Sequence, residues 1–545
     1  MLRLVDLFGY FSVVLRAGTL VFQSVVLGGV LFVLWTVRCA GPAAQISVAT
    51  VQSSSLRLLR ASAIGLAIVQ VLYLYVDSSV LMVTAELGFR DVVGATFFLA
   101  GSCMLVGAIG TIIVAGAGSN RLKAVGLAVL AVFILSASVM TNHAAARLSG
   151  RPLLIAITFV HEAATGLWIG GLPFLVLALF RAKDKPTQWY IAERFSRMAI
   201  VSVGALAGSG LLMTIAYLGS LRAILGTAYG IMVMAKVVML GALLVLGGIN
   251  YRLLRDGDAG FAMPRLRRLI EAEVGIGITV ILTAASLTSQ PPAVDLVNDT
   301  VSPQQIIARV MPTWPRLGYP PAMQESDPAA SNLVVRANAE EPPPRNVDGA
   351  PLTVKALADI KESESNHHWM GLVVLAMGVL ALLARTGKVK WAEYWPLLLI
   401  CIAIFIFIRA DTESWPIGPQ GFWATWLHPE VFQHRLAALV CIGFAVFELK
   451  VRRQKLEGSS LSLIFPLMCA IGGAVLLTHS HGITNIKEEA LVELSHVPLG
   501  LFAVVAGWAR WLEIRLPAEN RRIPAWIWPA CFVLIGAGLL NYREM

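Results

Sequence analysis

The chain has 545 residues, 57% of them hydrophobic and only 14% charged, with a mean hydropathy of +0.73. Soluble domains run near about 25% charged, so a soluble globular fold is excluded. The formal net charge of +10 does not imply nucleic acid, because the basic residues fall in short loops between apolar runs, where they set membrane topology.

In chain order, apolar runs predict membrane helices over 10–36, 61–84, 92–116, 124–142, 153–180, 198–219, 229–250 and 269–289. A second series follows over 369–385, 391–409, 433–450, 461–479, 490–510 and 525–541. Each is close to the roughly 20 residues that cross a bilayer core. The runs are continuous, without the two-residue alternation of a barrel, so helices are the way to satisfy the backbone in lipid. The expected fold is an all-α integral membrane protein of about fourteen transmembrane helices. The first run is too long for a signal-peptide core and no clear cleavage site follows it, so it reads as a retained helix.

Placing the N-terminus outside puts 26 Lys and Arg residues in inner loops and nine in the short outer segments and helix edges, the long connector apart. The positive-inside rule therefore predicts both termini on the outer, periplasmic side. The expected domains are an eight-helix membrane domain over 1–290, a soluble outer connector over 291–368 and a six-helix membrane domain over 369–545. The connector holds Pro291-Pro292, Pro320-Pro321 and Pro342-Pro343-Pro344. Its apolar content is too low for a large core.

The six cysteines make no C-x-x-C pair and mostly lie inside apolar helices, where they read as small buried hydrophobes. There is no phosphate-binding loop and no C-x-x-C-H haem attachment, which excludes a single-chain ATP-driven pump and a c-type cytochrome. Nothing points to bond-making chemistry on a substrate, so no catalytic residue is expected.

All nine histidines fall on the predicted outer side. Imidazole is the commonest side-chain metal ligand, and it suits copper, zinc, iron or nickel. His434, His479, His481 and His496 form the principal candidate group. Glu489 and Glu493 precede His496 on one helix face, and Glu493-x-x-His496 has the i, i+3 spacing used in metal-binding bundles. His143 and His161 flank another outer turn. His367 and His368 precede the ninth helix. His428, ahead of Pro429, reads as a loop residue. The competing reading for each is a helix-end cap or a headgroup contact.

Asp77, Lys236 and Arg16 lie inside apolar helices, where charges normally pair. A structural pairing of Asp77 with Lys236 or Arg16 is expected. The outer Trp415-Pro416-Ile417-Gly418-Pro419 loop with Trp423 and Trp426 reads as an interfacial aromatic belt.

The stretch Asn142-His143-Ala144-Ala145-Ala146, then His161-Glu162-Ala163-Ala164 and Leu167-Trp168-Ile169-Gly170-Gly171-Leu172, resembles the copper resistance protein D family. So do Arg194-Phe195-Ser196-Arg197, Gly219-Ser220-Leu221 and Leu225-Gly226-Thr227-Ala228-Tyr229-Gly230, with Lys236 and the run from Glu273 to Pro291-Pro292. The resemblance covers roughly 140–292. The second half, through Asn366-His367-His368-Trp369, Gln433-His434-Arg435, Leu477-Thr478-His479-Ser480-His481 and Glu493-Leu494-Ser495-His496, is similar to the C-terminal extension of long family members.

The resemblance implies copper handling at the bacterial inner membrane, as uptake toward the cytoplasm, with copper ion as the bound species. It also implies a separate periplasmic copper-binding partner. Met140, Met213, Met232, Met234 and Met239 carry thioethers that suit monovalent copper. With Asp77 and Lys236 they are candidates for an ion path. The alternative from the paired histidines is a membrane electron carrier holding haem b. A third reading is an assembly factor that delivers copper without transporting it.

Overall fold

The computed structural model describes residues 8–36, 45–118, 121–256, 259–296, 298–319, 346–426, 428–454, 456, 458–478 and 485–544. Among these, twelve helical segments are long and apolar enough to cross a membrane. Helices also occupy the two remaining expected positions, at Pro429–Arg453 and in the shorter apolar segment Ser460–Leu476. No strand occurs among the described residues beyond an isolated bridge between Ser414 and Gln420. The fold is an all-α integral membrane fold.

The chain divides into two compact units. Unit 1 spans 8–221 and 232–295. It holds α1 (Phe8–Leu31), α2 (Gln45–Thr84), α3 (Thr96–Gly116), α4 (Arg121–Val139), α5 (Arg151–Trp168), α6 (Leu172–Arg181), α7 (Lys185–Leu218), most of α8 (Ala228–Asp256) and α9 (Ala259–Ser289). Here α1 is the central helix: it packs on α2, α5 and α9 and continues into a π turn at Phe32–Thr36. The expected 153–180 helix is two helices, α5 and α6, meeting at Ile169–Gly171. The break coincides with a close approach. A Cβ on Gly170 would stand 1.8 Å from the Ser24 carbonyl oxygen, and one on Gly28 2.2 Å from the Gly170 backbone. Small residues at such points let membrane helices touch backbone to backbone.

Lipid-facing surfaces show the inverse of a soluble helix. On α4, Leu122, Val125, Val129 and Val132 recur at three- and four-residue steps and are exposed, forming one apolar face for the bilayer.

Unit 2 spans 222–231, 296–477 and the described residues from 485 to 544. It contains α10 (Pro303–Val310), α11 (Val354–Arg385), α12 (Leu398–Arg409), α13 (Pro429–Arg453), α14 (Ile464–Leu476), α15 (Ile486–Arg515) and α16 (Arg522–Leu540). Side-chain caps fix several starts. Ser302 forms a capping box with Gln305 at α10, Thr353 caps α11, and Asn485 caps α15 by accepting from the Lys487 and Glu488 amides. Each cap satisfies amides the first helical turn leaves open. Because α11 starts at Val354, His367 and His368 lie within a helix rather than ahead of one. Glycines bring α14 against α15 and α11 against α16. Trp395, Phe465, Trp528 and Phe532 fill the core between these helices.

Candidate functional site

In unit 2, His367 and His496 come together. The His367 ring lies 6.0 Å from that of His496, edge to face. Tyr542 stacks on His367 at 3.8 Å and meets His496 at 5.5 Å. The Nδ1 of His367 bonds the Ser363 carbonyl at 2.8 Å, and that of His496 the Val492 carbonyl at 3.0 Å, each four residues back on its own helix. A carbonyl can only accept, so Nδ1 carries the proton in both rings and Nε2 is the basic nitrogen, the one able to bind a metal. A backbone carbonyl holding Nδ1–H is the usual support behind a ligating imidazole.

The surroundings fix this pair. Tyr542 is buried. Burial pushes its hydroxyl pKa well up, so it keeps its proton and donates to Glu544 Oε1 at 3.0 Å. The Arg309 guanidinium lies 5.6 Å over the Tyr542 ring and donates through Nε to Ser495 Oγ at 3.2 Å. Tyr542 and Arg309 had no signal in the sequence: one follows the last apolar run and the other lies in the connector.

His434 is within electrostatic reach of His367 and bonds Asp411 Oδ1 through Nδ1 at 3.0 Å. His368 points elsewhere. Its Nδ1 accepts from the Arg316 amide at 2.8 Å and its Nε2 donates to the Tyr542 carbonyl at 2.9 Å. Both ring nitrogens therefore serve the fold, tying the connector and the C-terminal segment to α11. Glu493 is buried on α15 with Glu489 as its neighbouring carboxylate. His428 stands at the N-cap position of α13 without a side-chain capping bond and is exposed. His479 and His481 lie outside the described residues. Among the described residues, no three His, Cys, Asp or Glu side chains converge as a metal-holding group.

In unit 1, His143 opens the one-turn helix His143–Ala146, and its ring lies 6.3 Å from Tyr217. It bonds the Gln290 backbone, and its Nε2 is buried with no hydrogen-bond partner. Burial first, then the Arg147 and Arg16 charges, push the His143 pKa below its ordinary value, so the ring is held neutral. Arg147 is itself paired with Asp295 at 2.8 Å. His161 faces α7 instead, with Nδ1 3.2 Å from Ser209 Oγ.

Lys236 is the cation beside His161, and Arg16 is the one beside Asp77. Of the two cations expected for Asp77, Arg16 is the one within electrostatic range, but the two form no direct ion pair; Asp77 takes a hydrogen bond from Tyr73, and its Oδ1 is buried without a hydrogen-bond partner. Arg16 also reaches Thr141 Oγ1 at 2.7 Å and Asn142 Oδ1 at 2.6 Å. Asn142 in turn donates to Glu162, which accepts from Gln23 at 3.1 Å as well. Glu162 adjoins His161 in sequence, yet only the fold reveals it as the acidic end of this network. The methionines do not line up. Met232 and Met239 are buried, Met140 and Met213 half-buried, and Met234 faces outward.

Residues 189–287 match the family model described as copper resistance protein D. A Bacillus subtilis (strain 168) protein described as "Copper transport protein CutJ" is 35% identical over 161 residues, covering 29% of this chain and 29% of that protein. The aligned stretch thus spans less than a third of either chain. No solved structure matches. The matched stretch, residues 189–287, is similar to the copper resistance protein D family and lies in unit 1 except for Arg222–Ile231, which belong to unit 2.

Proposed function

We propose that this chain transports copper across the bacterial inner membrane, taking the ion from the periplasmic face. The observation that carries this reading is the His367–His496 pair, each ring fixed through Nδ1 with Nε2 as the basic nitrogen, in a chain whose family match is to a copper resistance protein. His434 is a third nitrogen near this pair. His479 and His481, on the segment joining α14 to α15, complete the proposed entry group, with Glu489 and Glu493 as oxygen ligands. His143 and His161 in unit 1 are a second candidate station. Both termini lie outside, as the Lys and Arg distribution favours. A separate periplasmic protein delivers the ion. The protein moves copper and makes no bond on a substrate, so it is not an enzyme.

The test is metal content and an optical spectrum on detergent-purified protein, with copper uptake into vesicles measured in parallel. Copper bound by wild type, lost in H367A/H496A, and accumulated only by wild-type vesicles is the expected result. Equal copper in both proteins overturns the histidine site. A haem spectrum without copper overturns the function. Copper binding without uptake reduces the role to copper delivery.

A further inference from the structure

We propose that the thiols of Cys441 and Cys469 form a soft-metal site inside unit 2, the station that monovalent copper occupies after the outer histidines; this rests on the transport reading above. On α13, His434, Cys441 and Glu448 recur at seven-residue steps. Seven residues are nearly two helical turns, with a drift of only about 20°, so the three occupy one stripe. Each step covers about 10 Å along the axis. The stripe runs from the outer histidines to the inner, arginine-rich end of the bundle.

Cys469 comes from α14. Both cysteines pack against the same central apolar cluster, both are free thiols, and Cys469 lies within electrostatic range of Cys441. A second observation marks the inner end. Glu448 is 1% exposed, and its Oε1 is paired with Arg452 at 3.0 Å and Arg510 at 3.2 Å. Its Oε2 is buried with no hydrogen-bond partner, and the carboxylate is electrostatically coupled to Cys469. Packing explains a buried thiol; it does not explain an unpartnered carboxylate oxygen in the field of the Cys469 thiol. Met370 and Met377, seven residues apart on one face of α11 below His367, adjoin the same cluster.

Thiolate and thioether ligands select monovalent copper, and that ion accepts two sulfurs without a third ligand. On binding, one S–H bond breaks and one Cu–S bond forms, while the second thiol donates a lone pair as a neutral ligand. The displaced proton leaves to water, and copper stays monovalent throughout. One cation replaces another, so the charge inside the bundle is unchanged, which suits a site in lipid.

The test uses the full chain in detergent, loaded with monovalent copper under reducing conditions and read by X-ray absorption at the copper edge. The expected result is sulfur neighbours in wild type and in H367A/H496A. C441S/C469S should lose those neighbours together with the copper that they held. Single C441A and C469A variants, checked for wild-type melting, guard against a folding artefact, and each should weaken the sulfur signal. An unchanged sulfur signal in C441S/C469S overturns the site. Sulfur-bound copper in a wild type that takes up none into vesicles overturns the transport reading and leaves the thiol site standing.

Discussion

His367 and His496 meet edge to face at 6.0 Å, on α11 and α15, and both spend Nδ1 on a carbonyl of their own helix. That arrangement decides which nitrogen can bind a metal before any metal arrives. Replacing either ring by Ala should therefore lower copper affinity by at least roughly tenfold. His368→Ala should act differently. It removes two main-chain anchors, so melting temperature should fall more than affinity per folded molecule. Metal titration alongside thermal unfolding separates the two; equal affinity losses for His367→Ala and His368→Ala would contradict the assignment.

One end of unit 2 carries a buried ion cluster. Arg510 donates to Glu513 at 2.7 Å and to Glu448 at 3.2 Å, Trp528 Nε1 donates to Glu513 at 2.7 Å, and Arg385 pairs with Glu513. Removing one member of a buried ion pair costs about 3–5 kcal/mol, because the partner is left uncompensated. Arg510→Met should therefore lower the detergent melting temperature sharply. Arg510→Lys should fall between it and wild type, since one ammonium keeps the charge but cannot fork to two carboxylates. A melting temperature for Arg510→Met within a degree or so of wild type would show the cluster to be dispensable.

Which parts of this were readable in the sequence follows from how local each signal is. The helices were, because lipid demands a continuous apolar run of fixed length, and that demand is met within one segment. Their ends were less so. The helix expected from 369 begins at Val354 because Thr353 caps it, and polar residues beyond the bilayer do not alter an apolar run. The partnerships were hidden because they join distant segments. Arg16 and Asn142 are 126 positions apart, and neither hydropathy nor spacing says which faces of two helices meet. The choice between Arg16 and Lys236 for Asp77 needed helix rotations that only packing supplies.

Asn142 bridges that network, accepting from Arg16 and donating to Glu162. Asn142→Ala deletes both bonds and leaves two buried groups short of a partner, at about 1–3 kcal/mol for each unsatisfied group. Glu162→Gln keeps a side chain of the same shape and should cost less. Thermal unfolding of the two variants should rank them in that order, and the reverse ranking would mean that the charge of Glu162, rather than the bridge, holds α1 to α5.

Gly170 and Gly204 give a paired steric test. A Cβ on Gly170 would lie 1.8 Å from the Ser24 carbonyl oxygen, whereas one on Gly204 meets nothing within 4 Å. Backbone cannot swing aside as a side chain can, so Gly170→Ala must push α1 and α5 apart. Overpacking of this kind costs about 1–3 kcal/mol or more, while Gly204→Ala should be neutral or slightly stabilising through its helix propensity. Equal melting temperatures for the two variants would place the α1–α5 contact elsewhere.

His143 supplies the pH dependence. Its folded-state pKa lies below the ordinary 6.5, chiefly through burial and then through Arg147 and Arg16. Below 6.5 the unfolded chain takes up a proton that the folded ring refuses, so the unfolded state binds more protons and stability falls with falling pH. The contribution of this residue is complete above 6.5 and is lost progressively as the pH drops toward the lowered folded value. His143→Asn, which does not titrate, should flatten the acid limb of a melting-temperature profile while changing its neutral plateau less. The same shift bears on copper: a ring kept neutral presents a lone pair at mildly acidic pH, where an exposed imidazole would already hold a proton. Binding that resides at His143 should thus persist into mildly acidic pH. Copper titrations of wild type and His143→Asn across the mildly acidic range decide this, and binding lost at the same pH in both would remove His143 from the ligand set.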